Sequence, residues 1–128
     1  MTAAALGFEP DSVIQELGWD EDVDDVLRSD IEKATGNGLV DGEYGEVADG
    51  VILWWRDGDG DLIDALVDAL TDLVENGKIW LLTPKVGRDG YVENADIAEA
   101  APVAGLATTS TLSASDDWAA TRMSTPKR

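Results

Sequence analysis

The most conspicuous group of potential ligands in this chain is the run of alternating acids at Asp57-Gly58-Asp59-Gly60-Asp61. Alternating carboxylates can converge on a hard cation such as Ca²⁺ through their oxygens. A calcium loop that begins at Asp57 needs Gly at its sixth position and Glu at its twelfth, where this chain has Leu62 and Asp68. The run therefore predicts a helix-capping turn in which Asp59 or Asp61 accepts from free N–H groups, and we expect no metal site. A weak cation site is the alternative.

A second group of side chains follows the predicted strands and forms a possible ligand rim of Trp19, Arg56, Asp57 and Lys85, with Asp20 beside it. Ligands of open α/β sheets bind beyond the carboxyl ends of the strands, where these residues would meet. Arg56 and Lys85 would then form a small cationic spot that suits an anion or a carboxylate. The alternative, which we favour, is that both cations form salt bridges with the neighbouring Asp residues.

A third group is an acidic ridge, Asp64, Asp68, Asp72 and Glu75, on the outer face of a predicted helix. Like charges four residues apart destabilise a helix by roughly 0.2–0.5 kcal/mol per pair, and no Lys is interleaved here. The ridge is either a solvated face or a docking surface for a basic partner, and the first interpretation is favoured.

Catalytic groups are scarce in the sequence. The chain has no Cys and no His, which removes the usual thiol nucleophile, the commonest general base and thiolate metal ligands. Ser and Thr concentrate at residues 107–115, where β-propensity and turn chemistry account for them. No nucleophile–base pair is evident, so we expect a protein that is not an enzyme and carries no cofactor.

The elements that must position these groups centre on residues 51–85. Val51 to Trp55 is continuously apolar and predicts a strand buried on both faces, with the adjacent Trp54 and Trp55 packing on opposite sides. A helix is expected from Asp61 to Glu75, ended by Gly77 in a left-handed cap. A second buried strand follows from Lys78 to Thr83, with Trp80 in the core.

The rest of the chain completes the sheet. A strand is expected at residues 12–17, and a helix at 19–36 that is capped by Asp20 or Asp22 and stopped by Gly36. A short helix at 95–101, capped by Asn94 and interrupted by Pro102, precedes a hairpin of 106–113 with 118–123. This order predicts an α/β fold: a mainly parallel, Rossmann-like sheet with helices on both faces and a C-terminal antiparallel hairpin.

The pattern resembles the methyltransferase-type variant of the Rossmann fold. Its glycine-rich cofactor loop after the first strand is replaced here by Leu17-Gly18-Trp19-Asp20-Glu21. Three runs, residues 18–22, 51–61 (with WWRDGDGD) and 82–85 (LTPK), together with Gly105-Leu106 and Trp118, resemble a small actinobacterial family that is catalogued only as a domain of unknown function. That resemblance covers about residues 6–123 and implies no activity.

Domain organisation and location follow from length and composition. One domain is expected over residues 12–123, after a flexible leader (1–11) and before a disordered basic tail (124–128). No apolar run reaches membrane-spanning length and no secretory signal is evident, so we expect a cytoplasmic protein.

The net charge of −18 lies entirely within residues 1–77, whereas residues 78–128 are neutral overall. Such a field repels nucleic acids and anionic membranes and favours a basic protein surface. The leading hypothesis is a non-catalytic acidic adaptor or regulator that binds a protein partner. The alternatives are a degenerate Rossmann-like small-molecule binder, or weak enzyme, that uses the strand-end cleft, and an acidic mimic of nucleic acid. The oligomeric state is left open.

Overall fold

The computed structural model describes residues 6–125 of the chain. Strands and helices alternate through most of it. In chain order the elements are β1 (Ile14–Leu17), α1 (Asp25–Thr35), β2 (Ala48–Trp54), α2 (Leu62–Leu70), β3 (Leu73–Pro84), α3 (Asn94–Val103), β4 (Ala107–Ser113) and β5 (Trp118–Ser124).

The strands form one five-stranded sheet in the order β1-β2-β3-β5-β4. β1 pairs with β2 and β2 with β3 in parallel, whereas β5 runs antiparallel to both β3 and β4. β4 therefore points the same way as the first three strands, and β5 alone is reversed. This arrangement confirms the predicted mainly parallel sheet with a C-terminal antiparallel hairpin.

The free edge of β1 carries a single parallel bridge from Gln15 to Val40. The chain thus leaves β1, crosses through α1 to that outer side, and then returns to the other side of β1 to form β2. The order of the strands reverses at this point, and in open α/β sheets a crevice suited to ligands forms there.

Two hydrophobic cores cover the two faces of the sheet, because neighbouring residues of a strand point to opposite sides. Trp54, Trp80 and Trp118 lie in the core beneath α1, and Trp55 lies in the core beneath α2 and α3. The structure confirms that Trp54 and Trp55 separate and that Trp80 is internal. Trp118 is buried as well, with its ring 4.8 Å from that of Trp54 in an edge-to-face arrangement.

The predicted helix at 61–75 is too long. α2 ends at Leu70, and β3 already begins at Leu73, which pairs with Ala48 of β2. The carbonyl oxygen of Asp72 accepts from the Ala48 N–H at 2.7 Å. Leu73 continues the helical spacing of apolar residues, so the local pattern extends the helix, but pairing with β2 stabilises a strand instead.

Gly77 does not end a helix, and its backbone is not left-handed. It lies inside β3, where the pairing shifts because Leu73 is opposite Ala48 but Lys78 is opposite Gly50. A Cβ atom on Gly77 would lie 2.4 Å from Cδ1 of Leu73. Glycine is therefore required for close packing at this irregularity and not for a helix cap.

Three other boundaries differ from the prediction. Asp24 caps α1, in place of Asp20 or Asp22, and Gly36 ends it with φ 77° as expected. α3 continues through Pro102 to Val103. Leu6 is already part of the core, because its side chain is buried and its carbonyl accepts from Trp80 Nε1 at 2.9 Å. The predicted leader is thus ordered from Leu6 onward, and the predicted tail is wrong at Ser124, which pairs with Ala107 as the last residue of β5. Residues 1–5 and 126–128 lie outside the described part.

Candidate functional site

Arg56 belongs to the predicted rim and follows Trp55 just beyond the end of β2. Its side chain lies across the carboxyl ends of the strands. Its Nε donates to Oδ2 of Asp22 at 2.9 Å, and its Nη1 donates to the carbonyl of Gly18 at 2.8 Å. The guanidinium lies 5.3 Å from the ring centroid of Trp118, a cation–π distance. Only 13% of the Arg56 side chain is exposed, so this cation is engaged inside the protein. The favoured salt-bridge interpretation is confirmed for Arg56.

The ion pair also affects Asp22. The hydrogen bond from Arg56 stabilises the ionised carboxylate and lowers the pKa of Asp22 below its ordinary value of 3.8, against a smaller opposing effect of burial. At neutral pH Asp22 is therefore a fixed anion that holds the guanidinium across the turn after β1.

Gly18 allows the turn after β1 to lie against the end of β2. Its φ of 75° is left-handed, and a Cβ atom here would lie 2.2 Å from the carbonyl oxygen of Trp54. No other residue fits so close to the neighbouring backbone, so the end of β1 is held against the end of β2. In the resembled fold the turn after the first strand carries a cofactor loop. In this chain that turn packs tightly against the end of β2.

The remaining rim residues do not converge on a cationic spot. Lys85 Nζ donates to the Ser113 hydroxyl, and within residues 6–125 it forms no salt bridge, contrary to the favoured interpretation for this residue. The Asp57 N–H donates to the carbonyl of Gly90 at 2.8 Å. Trp19 is 55% exposed. Because Arg56 is already paired with Asp22, the guanidinium that the possible anion site at Arg56 and Lys85 would need is occupied.

A cleft of about 340 Å³ lies beside this closed rim, where β1 and β2 end next to α2. Its walls are largely apolar, and within residues 6–125 the charged side chains that line it are carboxylates, of which Asp59 is already paired with Arg56. The lining residues are Leu17, Gly18, Leu53, Trp54, Trp55, Asp59, Ala65 and Asp68. This geometry suits a small apolar body that carries a positive charge, and does not suit an anion.

The Asp57–Asp61 turn is a capping turn, as predicted. Asp61 is the N-cap of α2, and its Oδ1 accepts from the N–H groups of Ile63 at 2.9 Å and Asp64 at 3.4 Å. Asp59 instead accepts from the backbone N–H of Arg56 at 3.0 Å. In the described part of the chain, no three acids gather in a geometry that would hold a metal ion.

The acidic ridge is only half formed. Asp64 and Asp68 are exposed on α2, but Asp72 and Glu75 lie beyond its end, in the turn and in β3. The prediction that four acids form a helix-spaced ridge is therefore wrong, because pairing between β2 and β3 shortens the helix.

A larger acidic surface replaces the ridge. α3 packs beside α2 on the same face of the sheet and contributes the exposed Asp96 and Glu99. Neither helix contains Lys or Arg. We call this two-helix surface the acidic face. The sequence pattern did not predict it, because only the fold places the two helices side by side.

A partly buried ion pair was missed by the sequence reasoning. Glu16 of β1 accepts two hydrogen bonds from Arg28 of α1, at 2.7 and 2.9 Å, and a third from Trp54 Nε1 at 2.9 Å. Glu16 lies two residues after the buried Ile14, and alternation in a strand already places it on the same inward face. The two-residue spacing from Ile14 was the signal in the sequence from which the burial of Glu16 could have been predicted. The pair ties α1 to the sheet.

No helix within residues 6–125 is long and apolar enough to cross a membrane.

Residues 3–127 match the family described as "Protein of unknown function (DUF3052)". The chain belongs to this family. Uncharacterized proteins of Mycobacterium bovis and Mycobacterium tuberculosis are each 54% identical to it over 125 residues, which is 98% of this chain and 78% of theirs. The expected resemblance to a family of unknown function is confirmed, and these relatives are mycobacterial.

Solved methyltransferases share the fold. The mitomycin 7-O-methyltransferase MmcR matches 90% of this chain with a TM-score of 0.65 and 9% identity, and the match covers 49% of that enzyme. The magnesium protoporphyrin IX methyltransferase of Synechocystis PCC 6803, solved with bound SAM, matches 97% of this chain and 74% of its own length, with a TM-score of 0.57 and 14% identity. This chain thus spans about half the length of MmcR. At such identities the likeness establishes the Rossmann-type fold alone.

Proposed function

We propose that this protein is a non-catalytic adaptor or regulator that binds a basic protein partner through its acidic surface. The observation that carries the proposal is the pairing of Arg56 with Asp22 across the carboxyl end of the sheet. Where the fold usually receives a ligand, a side chain of the protein itself closes the rim. What the molecule offers to a partner is then its exterior, with a net charge of −18.

The arrangement at the strand ends does not fit S-adenosylmethionine, the cofactor bound by the Synechocystis neighbour. That molecule carries a carboxylate as well as cationic centres. The polar side chains of the cleft are the carboxylates of Asp59 and Asp68, and the carbonyl after β1 is already bound by Arg56. A carboxylate placed there would face like charges without a cation to neutralise it.

Charge also supports a protein partner over other macromolecules. Phosphate backbones and anionic lipids are repelled by a molecule of this charge, whereas basic protein surfaces are attracted and steered toward it. An attraction of this kind weakens with salt, because the screening length falls from about 10 Å at 0.1 M to about 3 Å at 1 M.

Affinity purification from the native cell tests the proposal. The tagged chain is expected to retain a specific basic protein at 0.05 M NaCl and to release it at 0.5 M. The retained protein is then purified and its affinity is measured directly. An unrelated acidic bait of similar charge is the control for unspecific capture of basic proteins. If nothing beyond the control set is retained even at low salt, the proposal is wrong.

A matched pair of variants asks whether the acidic face contributes. Asp64→Asn with Asp68→Asn removes two charges from α2, and Glu43→Gln with Glu46→Gln removes two exposed charges from the loop before β2. The α2 variant is expected to weaken binding of the purified partner more than the loop variant does. Equal effects would assign the binding to another part of the surface.

The cleft of about 340 Å³ favours a second candidate function, the binding of a small organic cation. The carboxylate of Asp68 and an apolar wall suit an amine with an aromatic body, since Asp59 is already paired with Arg56. Titration with phenethylamine, with phenylacetate as the anionic control, is expected to shift the amide NMR signals of Gly18 and Ala65 with the amine alone. If neither compound moves these signals, this candidate function is excluded for that ligand class.

A further inference from the structure

A groove of about 550 Å³ runs between the start of α2 and the outer side of α3. Its lining divides into apolar and acidic side chains, and none of the lining residues in the described part of the chain is basic. The apolar part includes Ile63, Pro102 and Val103, and the acidic part consists of Asp61, Asp96 and Glu99.

Within residues 6–125, no part of the chain covers the apolar part of the groove. Val103 is 69% exposed at the end of α3, and Pro102 beside it is exposed too. Exposed single apolar residues are common on protein surfaces. Here, however, exposed apolar side chains share one concavity with three carboxylates, which is the composition of a docking site with an apolar floor and a charged rim.

Charge decides between the possible occupants. A second copy of this chain would bring its own net charge of −18 against the same carboxylates, and an anionic lipid surface would be repelled in the same way. A polar basic peptide would satisfy the acids but would leave Val103 in water. Only a segment with apolar residues along one side and Lys or Arg beside them satisfies both parts of the groove.

We propose that the groove between α2 and α3 docks a short, basic, amphipathic helix of a partner protein. The apolar side of that helix lies on Ile63, Pro102 and Val103, and its cationic flanks pair with Asp96 and Glu99. Helix-in-groove recognition of this kind is a common mode of protein binding. The inference rests on the proposed function, to which it adds the place of contact and the type of segment bound.

Two labelled synthetic peptides of equal charge test this inference by fluorescence anisotropy at 0.15 M NaCl. One is an amphipathic helix of Leu and Lys, and in the other every Leu is replaced by Gln. The wild-type chain is expected to bind the Leu/Lys peptide roughly tenfold more tightly, which corresponds to about 1.4 kcal/mol. Equal affinities for both peptides would show that the apolar floor plays no part and would overturn the inference.

Matched variants locate the contact. Asp96→Asn with Glu99→Gln is expected to weaken binding of the Leu/Lys peptide several-fold more than Glu43→Gln with Glu46→Gln, which removes the same charge elsewhere. Val103→Ser is expected to weaken it, whereas Val86→Ser, at an equally exposed valine, is not. Circular dichroism checks that each variant is folded, and NMR shift mapping on the unmodified chain gives an independent position for the peptide.

The possible failures are distinguishable. If the groove variants and the loop variants lose affinity equally, or if the NMR shifts lie away from α2 and α3, the groove is not the docking site, while binding through the acidic exterior still stands. If the wild-type chain binds neither peptide at low salt, the groove and the proposed attraction for basic protein segments are both wrong.

Discussion

Arg56 shows how one side chain can change what a fold offers to a ligand. Its guanidinium reaches Asp22, the carbonyl of Gly18 and the face of Trp118, so that the residues after β1 and β2 are joined. The composition of the rim suggested this outcome, because Asp57, Asp59 and Asp61 follow Arg56 in the sequence. The particular partner, Asp22, is 34 positions away and became evident only in the folded chain.

The pKa of Asp22 gives a first prediction at this scale. Its folded pKa lies below that of the unfolded chain, so the pair stabilises the protein above about pH 3.9 and loses that effect as the pH falls through the folded pKa. NMR titration of the Asp22 carboxyl is expected to give a midpoint below 3.8. The midpoint should rise toward the ordinary value in Arg56→Gln. An unchanged midpoint in that variant would show that Arg56 is not the cause.

Glu16 gives a second prediction. Glu16→Gln keeps an acceptor for Trp54 but leaves the Arg28 guanidinium without its buried anion, and we expect a loss of about 1–3 kcal/mol in the free energy of unfolding. Asp25→Asn removes an exposed anion from the same Arg28, 3.2 Å away, and should cost about 1 kcal/mol or less. Urea unfolding of both variants measures the difference. Similar losses would mean that burial of Glu16 does not matter.

At the scale of the elements, the close contact between the ends of β1 and β2 is the feature that most depends on one position. Gly18 and Gly36 have nearly the same left-handed φ, 75° and 77°. An added Cβ at Gly36 would meet nothing within 4 Å, whereas at Gly18 it would meet the carbonyl oxygen of Trp54 at 2.2 Å. Substitutions at the two glycines therefore measure different costs. At Gly36 the cost is backbone strain alone, and at Gly18 it is the same strain together with a steric clash.

A third prediction follows from that pair. Gly36→Ala should cost about 1–2 kcal/mol, the strain of a left-handed alanine. Gly18→Ala adds a clash with backbone that cannot move freely, and its cost should be on the order of 3 kcal/mol or more. Thermal and urea unfolding of the two variants give the comparison. If they are equally stable, the strand ends are not held as closely as the geometry indicates.

At the scale of the whole molecule, charge is the dominant property. The acids of the first 77 residues fall on many elements, and a few are neutralised by the pairs Glu16–Arg28 and Asp22–Arg56. The others repel one another in the compact state, an effect that salt reduces. Salt should therefore weaken both the repulsion within the molecule and the attraction that such a field exerts on basic molecules.

The fourth prediction concerns that repulsion. Raising NaCl from about 0.02 to about 0.5 M should raise the melting temperature by a few degrees, because screening lowers the self-repulsion of the folded state. Glu43→Lys with Glu46→Lys reduces the net negative charge, and its melting temperature should depend less on salt. Differential scanning calorimetry measures both. A melting temperature that is independent of salt would mean that the charges are already balanced locally.

The sequence by itself determined the alternation of strands and helices, the burial of Trp54, Trp55 and Trp80, and the capping role of the Asp57–Asp61 turn. These follow from local periodicity and from side-chain chemistry within a few residues. Tertiary structure alone decided where α2 gives way to β3, which anion holds Arg56, and that α2 and α3 form one acidic face. Each of these depends on residues far apart in the chain, because backbone pairing with β2 overrides helical spacing at Leu73, and because an ion pair or a groove exists only once its two sides have been brought together.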